Sequence, residues 1–227
     1  MALLAWRLLH FRAMKFLLVN PNTNTRTTDA MAAIAREAAR GDTIIAATVA
    51  FGVPLIVDEP MLAKAAEAVE ALFAEFDFSG FDGAIVAAFG DPALESVRKS
   101  CAVPVTGIAE ASMLEAGEGG RRFGVATTTP LLVKSIGKRA ASLGLGARFT
   151  GVRLTPGDVH ALMADPVALE AALGEACETA IAQDGAQAIV IGGGPLAVAA
   201  RALAPRFAVP IVEPIPAAVR LARKRAA

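Results

Sequence analysis

Residues 16–23 read Phe-Leu-Leu-Val-Asn-Pro-Asn-Thr, an apolar run that passes directly into a polar turn. Residues 122–129, Arg-Phe-Gly-Val-Ala-Thr-Thr-Thr, resemble this segment at an offset of 106 residues. Two further pairs recur in the same order at almost the same offset, namely 81–88 with 186–193 and 102–105 with 208–211. Three ordered matches at one offset indicate that the chain consists of two similar halves.

Short apolar runs alternate with alanine-rich stretches, which is the pattern of parallel sheets wrapped by helices. Strands are predicted at 15–19, 43–49, 83–88, 103–108, 122–126, 148–154, 186–191 and 209–212. The first helix is expected to follow the turn at 20–23 and to stop at Gly41, and another is expected over 61–76. The sequence therefore predicts an α/β fold of two lobes that face each other with their strand ends at the seam.

The repeat and the start of the first strand suggest domain boundaries. Residues 1–13 precede a second methionine, Met14, and are interpreted as an N-terminal extension. Residues 14–117 are assigned to lobe 1, which is completed by 205–227, and residues 118–204 are assigned to lobe 2.

Composition excludes several classes of protein. The 227 residues are 55% apolar and 19% charged, with 22 basic and 22 acidic side chains, so no basic surface is expected for nucleic acid. No apolar run approaches the roughly 20 residues of a membrane span. Cys101 and Cys177 are too few for a disulfide scaffold, and their surroundings lack the spacing of a metal site. We expect a cytoplasmic protein without a metal, a nucleic acid or a membrane partner.

In open α/β sheets ligands bind beyond the carboxyl ends of the strands. The polar or flexible residues at the predicted strand ends are therefore binding candidates: Asn20, Thr23, Gly52, Phe89, Thr127, Thr128, Gly193 and Gly194. The asparagines and hydroxyls have a second interpretation, because Asn and Thr also cap helices.

The glycine cluster has a competing interpretation. Gly192, Gly194 and Ala197 satisfy a G-x-G-x-x-A dinucleotide pattern, and Glu213 follows as a possible ribose-binding acid. Pro195 removes an N–H group from the helix start that would hold a pyrophosphate, so we expect no nucleotide cofactor.

Three carboxylates at strand ends are candidates for acid–base chemistry. Asp91 follows the third strand, and Glu110 and Glu213 occupy equivalent places in the two halves. Each could project into the seam as a catalytic acid or base, or could serve only as a charged helix cap. The sequence leaves both interpretations open.

Five motifs together resemble the aspartate/glutamate/hydantoin racemase family, most of all its hydantoin and allantoin branch. The motifs are Asn-Pro-Asn-Thr at 20–23, Phe-Gly-Asp-Pro at 89–92, Pro-Val-Thr-Gly-Ile-Ala-Glu at 104–110, Phe-Gly-Val-Ala-Thr-Thr at 123–128 and Asp-Gly-Ala-Gln-Ala-Ile at 184–189. The resemblance implies two flavodoxin-like lobes with pseudo-two-fold symmetry, no cofactor, a small-molecule substrate in the inter-lobe cleft and a homo-oligomer.

The resemblance also implies two catalytic cysteines, one on each face of the substrate, that exchange acid and base roles. This chain has Ala88 and Gly193 at those positions, and neither side chain carries a proton. Cys101 and Cys177 lie elsewhere in the sequence. Three functions follow as alternatives: a racemase-family enzyme acting on a small carboxylate, hydantoin or cyclic amide without two thiols, a hydrolase or lyase using cleft carboxylates, and a binding protein without catalysis.

Overall fold

A computed structural model describes residues 12–227. The interpretation of residues 1–13 as an extension falls, apart from Arg12 and Ala13, outside the described residues. Within the described residues no helix combines the length and apolarity needed to span a bilayer.

The first half forms a four-stranded parallel sheet with strand order β2-β1-β3-β4. Its strands are β1 (Lys15–Asn20), β2 (Thr43–Thr48), β3 (Gly83–Val86) and β4 (Val105–Gly107), and its helices are α1 (Thr25–Ala38), α2 (Glu59–Glu75), α3 (Leu94–Ser100) and α4 (Ile108–Ala116). Residues Phe16–Val19 of the inner strand β1 form an unbroken apolar run and are completely buried, as expected for a parallel sheet covered on both faces.

The second half repeats this arrangement, with strand order β6-β5-β7-β8 and all strands parallel. Its strands are β5 (Phe123–Thr127), β6 (Phe149–Leu154), β7 (Ala188–Ile191) and β8 (Ile211–Val212), and its helices are α5 (Val133–Ser142), α6 (Val159–Ala164), α7 (Pro166–Asp184) and α8 (Ala197–Leu203), followed by α9 (Pro214–Ala226). All eight predicted strands and the two-lobed α/β class are confirmed.

One shared hydrophobic core joins the lobes. It contains inward side chains of both sheets, such as Phe16 and Phe123, together with residues of α4 and α9 such as Ile108 and Ile215. Because these four side chains are completely buried, the lobes pack as one body rather than as separate domains.

The C-terminal segment requires a correction to the boundary drawn at residue 205. β8 pairs with β7 in the second sheet, through the partners Ile189–Ile211 and Val190–Val212, and so belongs to lobe 2. Only α9 returns to the first half, where it packs against α4 and α1.

Candidate functional site

A cavity lies where the carboxyl ends of the central strands of both sheets meet. Its volume is about 50 Å³, several times the space that a single water molecule needs on the same measure. Its lining consists of Asn22, Leu55, Ile56, Ala87, Ala88, Phe89, Thr127, Thr128, Thr129, Leu132, Ile136, Val159, Met163, Gly192, Gly193, Gly194, Pro195 and Leu196. Within residues 12–227 this lining contains no Asp, Glu, His, Lys, Arg or Cys side chain.

Asn20, at the end of β1, organises the first loop of the site. Its Nδ2 donates to Asn22 Oδ1 at 2.9 Å and to Thr28 Oγ1 at 2.9 Å, and its Oδ1 accepts from the Asn22 backbone N–H. Asn20 is fully buried and is not among the residues that line the cavity, and its direct contact with a ligand stays a prediction. Asn20 positions Asn22, and Asn22 lines the cavity.

Thr127, at the end of β5, ties the two polar loops of lobe 2 together. Its hydroxyl donates to the Gly192 carbonyl oxygen at 2.7 Å. Within the described part of the chain, the backbone N–H groups of Thr128, Gly193 and Gly194 have no protein acceptor. Since these residues line the cavity, their N–H groups are available to a ligand carbonyl or anion.

The glycine cluster allows the lobes to approach each other closely. A Cβ added to Gly192 would lie 2.9 Å from Phe89 Cε1, and one added to Gly194 would lie 2.8 Å from Met31 Sδ. Both contacts are shorter than real Cβ contacts and both reach across to lobe 1. Packing between the lobes therefore accounts for the glycines that matched the dinucleotide pattern.

Asp91 was expected as a possible cleft acid, but it does not line the cavity. Its carboxylate accepts hydrogen bonds from the backbone N–H groups of Ala109 and Glu110, both at 2.8 Å, and from Arg139 Nε at 3.0 Å. It caps the start of α4 rather than its own helix. Burial raises the pKa of Asp91 to about 6, against the opposing effect of Arg139 and the two N–H groups.

Glu110 is likewise a structural carboxylate and not a cleft acid. Arg98 Nη2 lies 2.5 Å from Glu110 Oε2, and Arg225 contacts both carboxylate oxygens at 2.7 and 3.0 Å. Burial by itself raises the pKa of Glu110, but hydrogen bonds and charge from Arg225 and Arg98 outweigh it and lower the pKa to about 2. The cavity lining does not include Glu110.

Glu213, Thr23 and Gly52 also lie outside the cavity lining. Glu213 precedes α9 and pairs with Arg201 Nε at 3.2 Å, without making a side-chain cap. The Thr23 N–H donates to the Val53 carbonyl at 3.0 Å, which joins the loop after β1 to the loop after β2. Gly52 is exposed in that second loop.

The two cysteines are remote from the cavity. Cys177 is completely buried in the outer core of lobe 2, and burial raises the pKa of its thiol to about 12. Burial also raises the pKa of Cys101, which ends α3. Ala88 and Gly193, by contrast, both line the cavity, as do Phe89, Thr127, Thr128 and Gly194.

The site has an apolar side that was not predicted from the sequence. Six residues form it and are named here the apolar wall: Leu55, Ile56, Leu132, Ile136, Val159 and Met163. They belong to the loop after β2, the turn after β5, helix α5 and helix α6. The run Val-Pro-Leu-Ile-Val at 53–57 could have indicated this side of the site. Five consecutive apolar residues in a loop often mark a binding surface.

Comparisons with known proteins identify a family and several relatives that resemble this chain in sequence and fold. A family model described as Asp/Glu/Hydantoin racemase matches residues 17–222. The hydantoin racemase of Paenarthrobacter aurescens is 29% identical over 92% of this chain and 89% of its own length. Solved allantoin racemases of Klebsiella pneumoniae and Pseudomonas fluorescens are 31% and 32% identical, each covering 93% of this chain and 87% and 90% of their own, and both superpose with a TM-score of 0.87.

The family match covers both sheets and every segment that lines the cavity. The fold, the five motifs and the relatives all indicate the same family. The chain belongs to the Asp/Glu/hydantoin racemase family, in its hydantoin/allantoin branch.

Proposed function

We propose that the cavity binds a small cyclic amide of the hydantoin type and promotes exchange of its ring C–H proton without a protein thiol, a protein carboxylate or a cofactor. One observation carries this proposal. Hydroxyl and backbone N–H donors from the strand ends line the cavity, whereas the lining within residues 12–227 has no ionisable side chain.

The donors suit the charge that develops during such a reaction. Loss of the proton next to a ring carbonyl places negative charge on the carbonyl oxygen, and N–H groups near Thr128 and Gly193 stabilise that oxyanion. Hydroxide from solvent takes the proton and becomes water. Water then returns a proton to either face of the planar carbanion, which regenerates hydroxide. Addition to the opposite face inverts the configuration of the ring carbon.

The apolar wall indicates which ring substituent fits. A carboxylate buried there would have no cationic partner among the lining residues, and a ureido group would leave donors unpaired. An alkyl or aryl substituent gains from leaving water, by about 0.8 kcal/mol for each buried CH₂. We therefore propose a hydantoin with an uncharged apolar substituent at the ring carbon.

Binding without turnover is a second candidate, favoured by the absence of any ionisable side chain from the described lining. The hydrolase or lyase alternative has less support, because it needs carboxylates in the cleft. Asp91 and Glu110 are instead engaged in hydrogen bonds and ion pairs away from it.

Proton NMR in D₂O measures the exchange of the ring C–H proton of 5-isobutylhydantoin, and calorimetric titration measures its binding. The proposal expects saturable binding and ring C–H exchange above the solvent rate, rising in proportion to hydroxide concentration. Binding with exchange at the solvent rate supports the second candidate. Absence of binding by every hydantoin tested contradicts both.

A matched pair of variants assigns the binding to the cavity. Met163→Lys places a cation in the apolar wall, whereas Leu131→Lys places the same cation on an exposed neighbour of the wall. We expect affinity for 5-isobutylhydantoin to fall at least about tenfold in the first variant, since several buried CH₂ groups lose their contacts. The second variant should bind like the unaltered chain.

A further inference from the structure

A buried ion pair connects the two lobes close to the cavity. Asp91 follows β3 in lobe 1, and Arg139 lies on α5 in lobe 2. Arg139 Nε donates to Asp91 Oδ2 at 3.0 Å, and the two side chains are only 13% and 1% exposed. Neither residue lines the cavity, so the pair has no direct part in ligand binding.

Each partner is adjacent to a cavity wall of its own lobe. Ala88 and Phe89 line the cavity three and two residues before Asp91. Ile136 lines it from α5, three residues before Arg139 and therefore on the same side of that helix. A shift of the Asp91–Arg139 contact would consequently move two opposing walls of the site.

The backbone around Asp91 is held in an unfavourable conformation. Asp91 has φ of 50°, in the left-handed region that non-glycine residues rarely adopt. In this conformation its carboxylate accepts from the N–H groups of Ala109 and Glu110, and a Cβ on Gly107 would lie 2.2 Å from Asp91 Cγ. Such strain persists where the surroundings fix the residue, and it concentrates at functional sites.

We propose that Asp91 and Arg139 are positioning residues whose ion pair holds the lobe 1 wall at Ala88–Phe89 against the lobe 2 wall at Ile136 and thereby controls access to the cavity. The pair acts through the walls and not through contact with a ligand.

Other charged groups surround the pair on two helices, α3 and α4. Glu95 of α3 accepts from Arg139 Nη1 at 3.3 Å and is 70% exposed, and Arg98 of α3 pairs with both Glu95 and Glu110. Glu110 of α4 adds a negative charge that favours protonation of Asp91. Because burial raises the pKa of Asp91 to about 6, the pair loses its negative partner as the pH falls through that value.

Thiol labelling measures access to the cavity without any ligand, and its outcome is therefore independent of the proposed function. The reporter protein carries Ala88→Cys and Cys101→Ser, which leaves the fully buried Cys177 as its other thiol. The rate of reaction with 4,4′-dithiodipyridine is normalised to that of a small free thiol at each pH. Adding Arg139→Gln to the reporter should accelerate labelling at least about fivefold, because the open population rises when the pair is lost.

Glu95→Gln is the matched control, since it removes the exposed partner of the same arginine and should leave the rate unchanged. In the reporter without further substitutions, the normalised rate should rise as the pH falls through about 6. A purely structural role would not produce this pH profile. An unchanged rate in a folded Arg139→Gln variant overturns the proposal, and so does a flat profile if that variant fails to fold.

Discussion

At the residue scale, Glu110 is a carboxylate whose charge is balanced by two arginines from different helices, Arg98 on α3 and Arg225 on α9. Glu110→Gln would leave both arginines without their anionic partner in a partly desolvated position. We expect the free energy of unfolding at pH 7 to fall by about 2 kcal/mol, less than for a fully buried pair because both arginines are partly exposed. Urea denaturation of the two proteins measures this difference.

The same comparison has a defined pH dependence. The folded-state pKa of Glu110 is about 2, below its ordinary value of 4.5, so its contribution is present above about pH 4.5 and is lost as the pH falls toward 2. The stability difference between the unaltered chain and Glu110→Gln should therefore shrink at pH 3. Glu95→Gln, which alters an exposed partner of Arg98, should cost less than about 1 kcal/mol.

Two glycines with opposite surroundings give a second test. At Gly107, a Cβ would collide with the Asp91 carboxylate, so Gly107→Ala should lower the free energy of unfolding by about 3 kcal/mol through overpacking. At Gly137, inside α5, the nearest atom to an added Cβ is Phe149 Cε1 at 3.9 Å. Gly137→Ala should raise that free energy by roughly 1 kcal/mol, because alanine favours helix. Similar effects of both substitutions would contradict the packing around Asp91.

Residue roles were predictable only where the partner was near in sequence. The sequence located Asp91 and Glu110 at strand ends but could not distinguish a cleft acid from a structural charge. The decisive partners are distant, because Arg139 lies 48 residues from Asp91 and Arg225 lies 115 residues from Glu110. Burial and charge balance at such positions arise from the folded arrangement and not from local pattern.

At the element scale, the turn between β1 and α1 depends on Asn20. Asn20→Ala would remove the acceptor for the Asn22 N–H and the donor for Thr28 in a fully buried position. We expect a loss of about 2–3 kcal/mol in the free energy of unfolding. Calorimetric titration should also show weaker binding of 5-isobutylhydantoin, because Asn22 would no longer be fixed at the cavity.

Asn24→Ala is the control for that loop. Asn24 caps α1 by accepting from the N–H groups of Arg26 and Thr27, and it is exposed. Its replacement should cost about 1 kcal/mol, typical of a lost helix cap, with little change in ligand affinity. Equal effects of the two substitutions on binding would contradict the positioning role of Asn20.

The elements themselves were largely readable from the sequence. Parallel strands are buried on both faces, so runs such as Phe16–Val19 stand out as continuous apolar segments. The apolar wall was not predicted, because the pattern at strand ends indicates only polar or flexible residues as binding candidates. Leu55 and Met163 come from a loop and a short helix beyond the edge strands, where periodicity gives little information.

At the scale of the whole molecule, the internal repeat predicts the two-lobed architecture. The same repeat also indicates that β8 belongs to lobe 2. Residues 208–211 match 102–105, and the latter include the start of β4 in the first sheet. The equivalent strand in the second half is β8, which pairs with β7 as β4 pairs with β3. α9 follows β8 as α4 follows β4, and these two helices pack against each other in the shared core between the lobes. The homo-oligomer expected from the family resemblance stays a prediction.

We propose that this racemase-family cleft retains a binding surface and lacks the two catalytic cysteines that the family resemblance implies, with Ala88 and Gly193 in their places. Ala88→Cys combined with Gly193→Cys would introduce a thiol from each lobe at the cavity lining. Gly193 has φ of 164°, an extended backbone that accepts a side chain, although an added Cβ would lie 3.0 Å from Leu196 Cγ and require a small shift of that side chain.

The direct measurement is the rate of ring C–H exchange of 5-isobutylhydantoin in D₂O for the double variant, each single variant and the unaltered chain. Positioned acid–base groups typically contribute about 10²–10⁴ in rate, so we predict that the double variant exceeds the unaltered chain by at least about a hundredfold and that each single variant falls well short of it. A folded double variant that binds the hydantoin but exchanges its proton no faster than the unaltered chain would contradict the claim.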